Sequence, residues 1–178
     1  GTDVASITQE FNTPVVEPTA PTKPGYTFAG WYKDENLAGD AYVFTTMPAE
    51  SFTLFAKWDL NEYTVSIVGI NTEDVTFIDI GLNGSFNDAT GNYEFKYTVE
   101  SENITILAPE KVGYTFSSWT ISEGHANIND NPIVQVENTK NYVIPTGTYG
   151  DITFTAVFGV NTYTITFDSK GGSEVASI

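Results

Sequence analysis

The side chains best suited to chemistry lie in one short stretch around the chain's single histidine. His125 falls within Ser122–Ala126, a predicted loop, and a histidine triad or a multi-histidine metal site would have only this residue to use. Just after it, Asn127–Asn131 offers the hard oxygen ligands that Ca²⁺ prefers, but the stretch lacks the spacing and the final bidentate acid of a Ca²⁺ loop. A surface histidine followed by a solvated turn is the favoured interpretation.

Acidic pairs and glycine turns are the next candidates, for hydrolysis and for phosphate binding. Asp34 with Glu35, and Asp79 with Asp88, are carboxylate pairs, but a glycosidase needs two carboxylates fixed across a cleft. Gly81–Gly84 and Gly171–Gly172 are predicted turns, and neither opens a helix, so a phosphate cradle is not indicated. The sequence therefore predicts no catalytic residue, no metal ligand and no cofactor, and we do not expect an enzyme.

Aromatic side chains are the remaining candidates for ligand binding. Tyr32, Phe55, Tyr93 and Tyr149 are predicted to be exposed and could stack on sugar rings, while packing between modules explains them equally well. Both interpretations require β-strands that hold these rings in place, which directs attention to the elements of the chain.

Composition and charge exclude several classes of protein. The 178 residues include 23 acidic residues against seven basic ones, all lysine, which gives a net charge of −16. Nucleic acid and anionic membrane surfaces need clustered positive charge, so neither is an expected partner. Hydrophobic residues make up 40%, enough for packed cores. Cysteine is absent, which removes disulfides and thiolate metal sites, and no apolar run is long enough to insert into a membrane.

The chain is organised around a stretch that occurs twice. Gly25–Trp31 (GYTFAGW) returns as Gly113–Trp119 (GYTFSSW), with a lysine two residues before each glycine. The downstream segments also return, as Tyr42–Val43 and Tyr142–Val143, Phe52–Trp58 and Ile152–Phe158, and Tyr63–Ile67 and Tyr163–Phe167. Recurrence of this kind indicates tandem modules.

Each module is predicted to consist of strands. Threonine, valine, isoleucine and aromatic residues dominate, turn signals recur at short intervals, and no amphipathic helix pattern occurs, so the fold class is all-β to β-rich. Val4–Phe11 is a predicted short strand, and the proline-rich segment after it is predicted to run extended along an edge. Phe52–Trp58 alternates cleanly, with Phe52, Leu54, Ala56 and Trp58 facing inward. The second module contains two insertions with strand-like segments, Tyr93–Val99 and Ile133–Val136, so we expect a larger sheet there.

The repeated aromatic pair needs a local irregularity. Phe28 and Trp31 are three residues apart, and a regular strand would direct them to opposite faces. A β-bulge at Gly30 would bring both rings into one core, together with Leu54 and Trp58. In the second copy Ser118 replaces this glycine, so the argument is weaker there; its core is predicted around Phe116, Trp119, Phe154 and Phe158.

These motifs carry a family resemblance. The segments YTITFDSKGG, PTKPGYTFAGWY and FTLFAKW resemble the Listeria–Bacteroides repeat, also called the internalin B-repeat. The resemblance is close over residues 2–61 and 163–178, and residues 62–161 resemble a divergent, expanded copy. It implies tandem, small β-grasp-like modules on secreted, cell-surface or cell-wall proteins of bacteria, and it supplies no catalytic centre.

The domain prediction follows from the repeat. Residues 1–61 form a module that lacks its first strand (the first module), residues 62–161 form the expanded module (the second module), and residues 162–178 contain the first strand of a following module. Because the sequence begins without Met, we expect it to be part of a longer polypeptide.

Two functions are compatible with these observations. The first is a non-catalytic extracellular or cell-surface stalk or spacer, whose copies could assemble head-to-tail into a filament if Tyr163–Asp168 of one copy fills the vacant strand position of the next. Alternatively, that strand pairs within one longer chain or is held only by packing. The second function is an adhesin-like recognition module that binds a glycan or a host protein through the insertions of the second module.

Overall fold

A computed structural model describes residues 1–71 and 84–173. Twelve strands and no helix are formed in this part of the chain, which confirms the predicted all-β class; the β-grasp topology stays a prediction. The strands are β1 Tyr26–Tyr32, β2 Phe55–Leu60, β3 Tyr63–Val68, β4 Ser85–Asn87, β5 Asn92–Tyr97, β6 Ile104–Ile106, β7 Tyr114–Ile121, β8 Ala126–Asn127, β9 Val134–Gln135, β10 Tyr142–Ile144, β11 Thr148–Tyr149 and β12 Ile152–Val160. No membrane-spanning helix occurs over these residues.

The first module contains one two-stranded sheet, in which β1 pairs antiparallel with β2. The register shifts between Phe28 and Gly30, which confirms the predicted bulge. As a result, the rings of Phe28 and Trp31 lie 5.2 Å apart, edge to face. Gly30 has a φ of 116°, a backbone conformation that L side chains rarely adopt, so the bulge here depends on glycine.

The same bulge is present in the second module, although its glycine is replaced. β7 pairs antiparallel with β12, and the register passes from Ser118 opposite Val157 to Phe116 opposite Phe158, skipping Ser117. The rings of Phe116 and Trp119 are again 5.2 Å apart. The aromatic spacing, rather than the glycine, is therefore what the two bulges share.

The second module is built on a five-stranded sheet in the order β4-β5-β3-β12-β7. β3 and β12 are parallel neighbours, with Val65 opposite Ile152 and Ile67 opposite Phe154. These four side chains are almost completely buried. Two smaller sheets, β6-β10-β9 and β11-β8, complete the module. The first inserted segment supplies β5 of the five-stranded sheet, which confirms the expected enlargement, and the second supplies β9 of the β6-β10-β9 sheet.

The cores of the two modules differ in completeness. In the second module, Phe116, Trp119 and Phe154 are buried as predicted, and Phe158 is half-buried against them. In the first module, the four predicted core residues Phe28, Trp31, Leu54 and Trp58 are only half-buried. Of the large hydrophobic residues described in that module, only Tyr32 is fully buried.

Two strand predictions for the first module were wrong in a related way. Val4–Phe11 forms no strand, and β2 begins at Phe55, although the alternating pattern starts at Phe52. A strand exists only where a neighbour accepts and donates its ladder hydrogen bonds, and no described strand of this chain lies beside either segment. In the second module, the segment that corresponds to Phe52–Leu54 is the first half of β12, and it is a strand because it pairs with β3.

Candidate functional site

The stretch around His125 forms a hydrogen-bonded turn beside a small open pocket of about 300 Å³. The side-chain oxygen of Asn127 accepts a hydrogen bond from the backbone N–H of Asn129 at 2.8 Å. Its amide nitrogen donates to the carbonyl oxygen of Thr146 and to the hydroxyl of Thr148, both at 3.0 Å. The side chain of Asn127 is thus held within its own turn, and the described residues contain no cluster of acidic and histidine side chains able to hold a metal ion.

His125 lines the same pocket but has no chemical partner there. It is half-buried, and its Nδ1 makes no hydrogen bond within the described part of the chain. The other lining residues include Asn131, Pro132 and Ile133, and apart from His125 none of the lining residues has an aromatic ring. The pocket therefore lacks the nucleophile, the carboxylate pair and the stacking platform that the sequence alternatives would need.

The other sequence candidates are dispersed. Asp34 accepts a hydrogen bond from the backbone N–H of Asn36 and caps its own loop. Gly171–Gly172 lies in a turn, closed by a bond from the N–H of Gly172 to the carbonyl of Ser169. Asp79 and residues 81–83 of the Gly81–Gly84 turn lie outside the described residues. Among the described candidates, no two carboxylates face each other across a cleft.

The prediction that Tyr32 and Tyr93 are exposed was wrong. Both are buried, Tyr32 at the end of β1 and Tyr93 in β5. Phe86 contacts the ring of Tyr93 edge to face at 5.4 Å, and both side chains belong to the core of the second module. Phe55 and Tyr149 are half-buried, and none of the four presents a fully open ring to a glycan.

A larger opening than the His125 pocket lies in the first module, beside the residues that correspond to the β3-paired end of β12. A cleft of about 640 Å³ is lined by Phe52 and Leu54, by Trp31 and Tyr42, and by the irregular segment from Val4 to Gln9. Phe52 and Leu54 correspond to Ile152 and Phe154, which are buried in the second module and pair with β3 in the same sheet. The cleft is therefore a vacant strand position beside an unpaired length of backbone.

A strand of matching sequence is free at the other end of the chain. Tyr163–Phe167 (YTITF) corresponds to Tyr63–Ile67 (YTVSI) of β3, yet it forms no strand. Tyr163, Ile165 and Phe167 are 76%, 79% and 69% exposed, whereas Val65 and Ile67, the β3 counterparts of Ile165 and Phe167, are completely buried. The same chain thus contains an open strand position and an unpaired strand sequence.

The two modules are connected by a compact joint that the sequence analysis missed. The N–H of Asn61 donates to the carbonyl of Gly25, its side-chain oxygen accepts from Thr27, and its amide donates to the hydroxyl of Tyr63. Across the joint, the hydroxyl of Tyr26 donates to Glu100. The recurrence of Asn61 and Tyr63 as Asn161 and Tyr163 was the signal in the sequence that could have revealed it.

Comparison with known families identifies both modules. Residues 1–57 match the Listeria-Bacteroides repeat domain, and residues 81–162 match the Divergent InlB B-repeat domain. The chain is a tandem of Listeria–Bacteroides-type repeat modules. The predicted resemblance is confirmed, including the divergence of the second module, and the matched families are repeat domains of surface proteins.

Relatives of this Listeria–Bacteroides repeat chain are much longer proteins. Internalin H of Listeria monocytogenes is 37% identical over 116 residues, which cover 64% of this chain and 18% of that protein. In Evansella cellulosilytica, a protein provisionally named a Gly-rich membrane protein is 29% identical over 179 residues, and a second, provisionally named a membrane protein, is 30% identical over 181. Both matches cover the whole of this chain, which spans only 17% and 22% of those relatives. No solved structure matches.

Proposed function

We propose that this chain is a non-catalytic structural segment of a bacterial cell-surface protein, a spacer whose modules follow one another head to tail. The relatives support this placement, because one is an internalin and two carry membrane-protein names. The proposal depends on two features of the same chain. The first module has a strand position that no described strand fills, and an unpaired strand sequence follows the second module.

The second module supplies the template for how this position is filled. There, β3 runs parallel to β12 and places Val65 opposite Ile152 and Ile67 opposite Phe154. Transferred to the first module, the same register places Ile165 opposite Phe52 and Phe167 opposite Leu54. Each newly buried aliphatic or aromatic side chain contributes about 1.5–3 kcal/mol, and the ladder hydrogen bonds satisfy backbone groups that are otherwise unpaired.

The strand can come from another copy of the chain, or from a preceding module where this segment continues a longer polypeptide. Tyr163–Phe167 of one copy enters the cleft of the next, and the contact is heterologous, so repeated association gives a filament rather than a closed ring. The net charge of −16 keeps such an extended assembly soluble and discourages contacts other than the specific one.

Truncation tests the proposal directly. A chain that ends at Asn161 keeps the joint residues and both modules but loses the strand, and light scattering should show it monomeric at concentrations where the full chain associates. If the truncated chain associates as strongly as the full one, strand addition is wrong.

A pair of charged substitutions provides a sharper control. Ile165→Lys places a charge on the face whose counterpart, Val65, is buried, and it should abolish association. Thr166→Lys places the same charge on the opposite face, whose counterpart Ser66 is half-buried, and it should reduce association far less. Equal effects of the two substitutions would indicate a charge effect without strand pairing.

The alternative, recognition of a glycan or host protein through the insertions, has less support. The first insertion forms the largely buried strand β5, and the second forms the exposed strand β9, which carries no aromatic residue. A glycan array probed with the full chain should therefore show no binding, and a reproducible hit that is lost in an Asn131→Ala variant would favour this alternative.

A further inference from the structure

The joint between the two modules is repeated, uncovered, at the end of the second module. Four contacts recur one for one. The N–H of Asn161 donates to the carbonyl of Gly113 at 2.9 Å, as Asn61 does to Gly25 at 3.0 Å. Thr115 donates to Asn161 at 2.6 Å, and Asn161 donates to the hydroxyl of Tyr163 at 3.3 Å. The ammonium group of Lys111 lies over the ring of Tyr114, as that of Lys23 lies over Tyr26.

What differs between the two sites is the partner. At the first site, Val99 packs directly on Gly25: a Cβ added to this glycine would lie 2.6 Å from the Cβ of Val99. Val99 is 3% exposed and stands in a four-residue turn, closed by a bond from the N–H of Ser101 to the carbonyl of Thr98. At the second site, a Cβ added to Gly113 would meet no atom within 4 Å.

The exposed side chains around Gly113 show the same difference only in part. Val112 is completely exposed, and Tyr114 and Val160, opposite each other in the sheet, are also exposed. Of their counterparts around Gly25, Tyr26 is half-buried, whereas Pro24 and Leu60 are exposed in the formed joint as well. The same hydrogen bonds therefore surround Gly25, on which Val99 packs, and Gly113, on which no described residue packs. Here the socket is defined as Gly113 with Val112, Tyr114 and Val160.

The chain also carries an insert of the required kind. Phe11 lies fourteen residues before Gly25, and Val99 lies fourteen residues before Gly113, so the two occupy the same position in their modules. Phe11 stands in the equivalent turn, closed by a bond from the N–H of Thr13 to the carbonyl of Glu10. Whereas Val99 is buried in the joint, Phe11 is 69% exposed.

We propose that Phe11 of a second copy of this chain packs on the Gly113 socket, and so forms between copies the joint that Val99 and Gly25 form within one. The inference rests on the proposed head-to-tail association and adds a second contact to the strand. The strand sets which modules join. The turn packs closely on the glycine, which is possible because glycine has no Cβ, and this contact fixes the angle between the modules.

The test is self-association of the full chain, measured by sedimentation velocity from micromolar concentration to the solubility limit. Phe11→Ser leaves both the strand and the cleft intact, and it should weaken association roughly 10- to 100-fold, the range for losing one buried aromatic side chain. Val43→Ser is the matched control: Val43 is a similarly exposed apolar residue of the same module, and its counterpart Val143 pairs within the second module. Association of this variant should equal that of the parent.

Substitution of the glycines tests the other side of the contact. Asparagine tolerates a positive φ better than other residues, and Gly113 has open space, so Gly113→Asn should keep the melting temperature and weaken association as much as Phe11→Ser does. Gly25→Asn should instead lower the melting temperature, because its side chain would collide with Val99.

The outcomes separate this inference from strand addition. If Phe11→Ser and Gly113→Asn associate like the parent while truncation at Asn161 abolishes association, the joint between copies is wrong and strand addition stands. If both variants weaken association and truncation does not, the joint stands and strand addition fails. A full chain that remains monomeric at the solubility limit overturns the joint between copies.

Discussion

Phe154 and Leu54 occupy the same position in the two modules, and truncating each to alanine measures what the first strand contributes. Phe154 is completely buried and contacts the rings of Trp119 at 5.9 Å and Tyr142 at 6.1 Å. Phe154→Ala should therefore cost about 3–5 kcal/mol of unfolding free energy. Leu54 is half-buried and lines the cleft. Because one side of Leu54 faces the open cleft, Leu54→Ala should lower the free energy of unfolding by only about 1–2 kcal/mol, against about 2–5 kcal/mol in a closed core.

Differential scanning calorimetry at low protein concentration, where copies are separate, provides the measurement. Since about 1 kcal/mol corresponds to roughly 4–8 °C in a domain of this size, Phe154→Ala should lower the transition of its module by on the order of 15–30 °C. Leu54→Ala should lower that of the first module by about 5–15 °C. At concentrations where copies associate, the Leu54→Ala penalty should grow. Equal penalties at the two positions, independent of concentration, would refute the vacant strand position.

Three further predictions concern stability alone. Gly30→Ala should cost about 1–3 kcal/mol in urea unfolding because of the positive φ at the bulge, whereas Ser118→Ala at the same position of the other bulge should cost much less. Above about pH 10 the protein should lose stability as pH rises. Burial, together with the charge of Asp151, raises the pKa of Tyr97, so the Tyr97 hydroxyl loses its proton at lower pH in the unfolded state than in the folded state. Tyr97→Phe should therefore flatten the decline. EDTA should leave the melting temperature unchanged, because the side-chain oxygen of Asn127 is already bonded within its own turn, and a large drop would indicate Ca²⁺ at Asn127–Asn131.

The local features of the fold were predictable because they depend on neighbouring residues. The spacing of Phe28 and Trp31 required a bulge, and the structure has one. The argument was weaker for the second copy, but its bulge forms around the same aromatic spacing with serine in place of glycine. The inward face of β12 also follows from alternation alone, as the burial of Ile152 and Phe154 shows.

Features that depend on distant partners were not predictable in the same way. Phe52–Trp58 has the alternation of a full strand, yet only the part opposite β1 is one, since pairing rather than pattern decides where a strand begins. Tyr93 was predicted to be exposed because the sequence does not show that β4 and β3 flank β5 on both sides. The joint was not predicted from the sequence because its main contact, Val99 on Gly25, is between residues 74 positions apart, and only Gly25 belongs to the repeated motif.

The parallel pairing of β3 with β12 has a mechanical consequence. β3 opens the second module and β12 closes it, so a pull on the two ends of the module acts on adjacent strands in opposite directions along their length. The hydrogen bonds between Val65–Val68 and Ile152–Thr155 are then sheared together instead of opening one after another. A strand donated by a neighbouring copy in the same register would be loaded in the same way. The connection between copies would then resist tension as the interior of a module does.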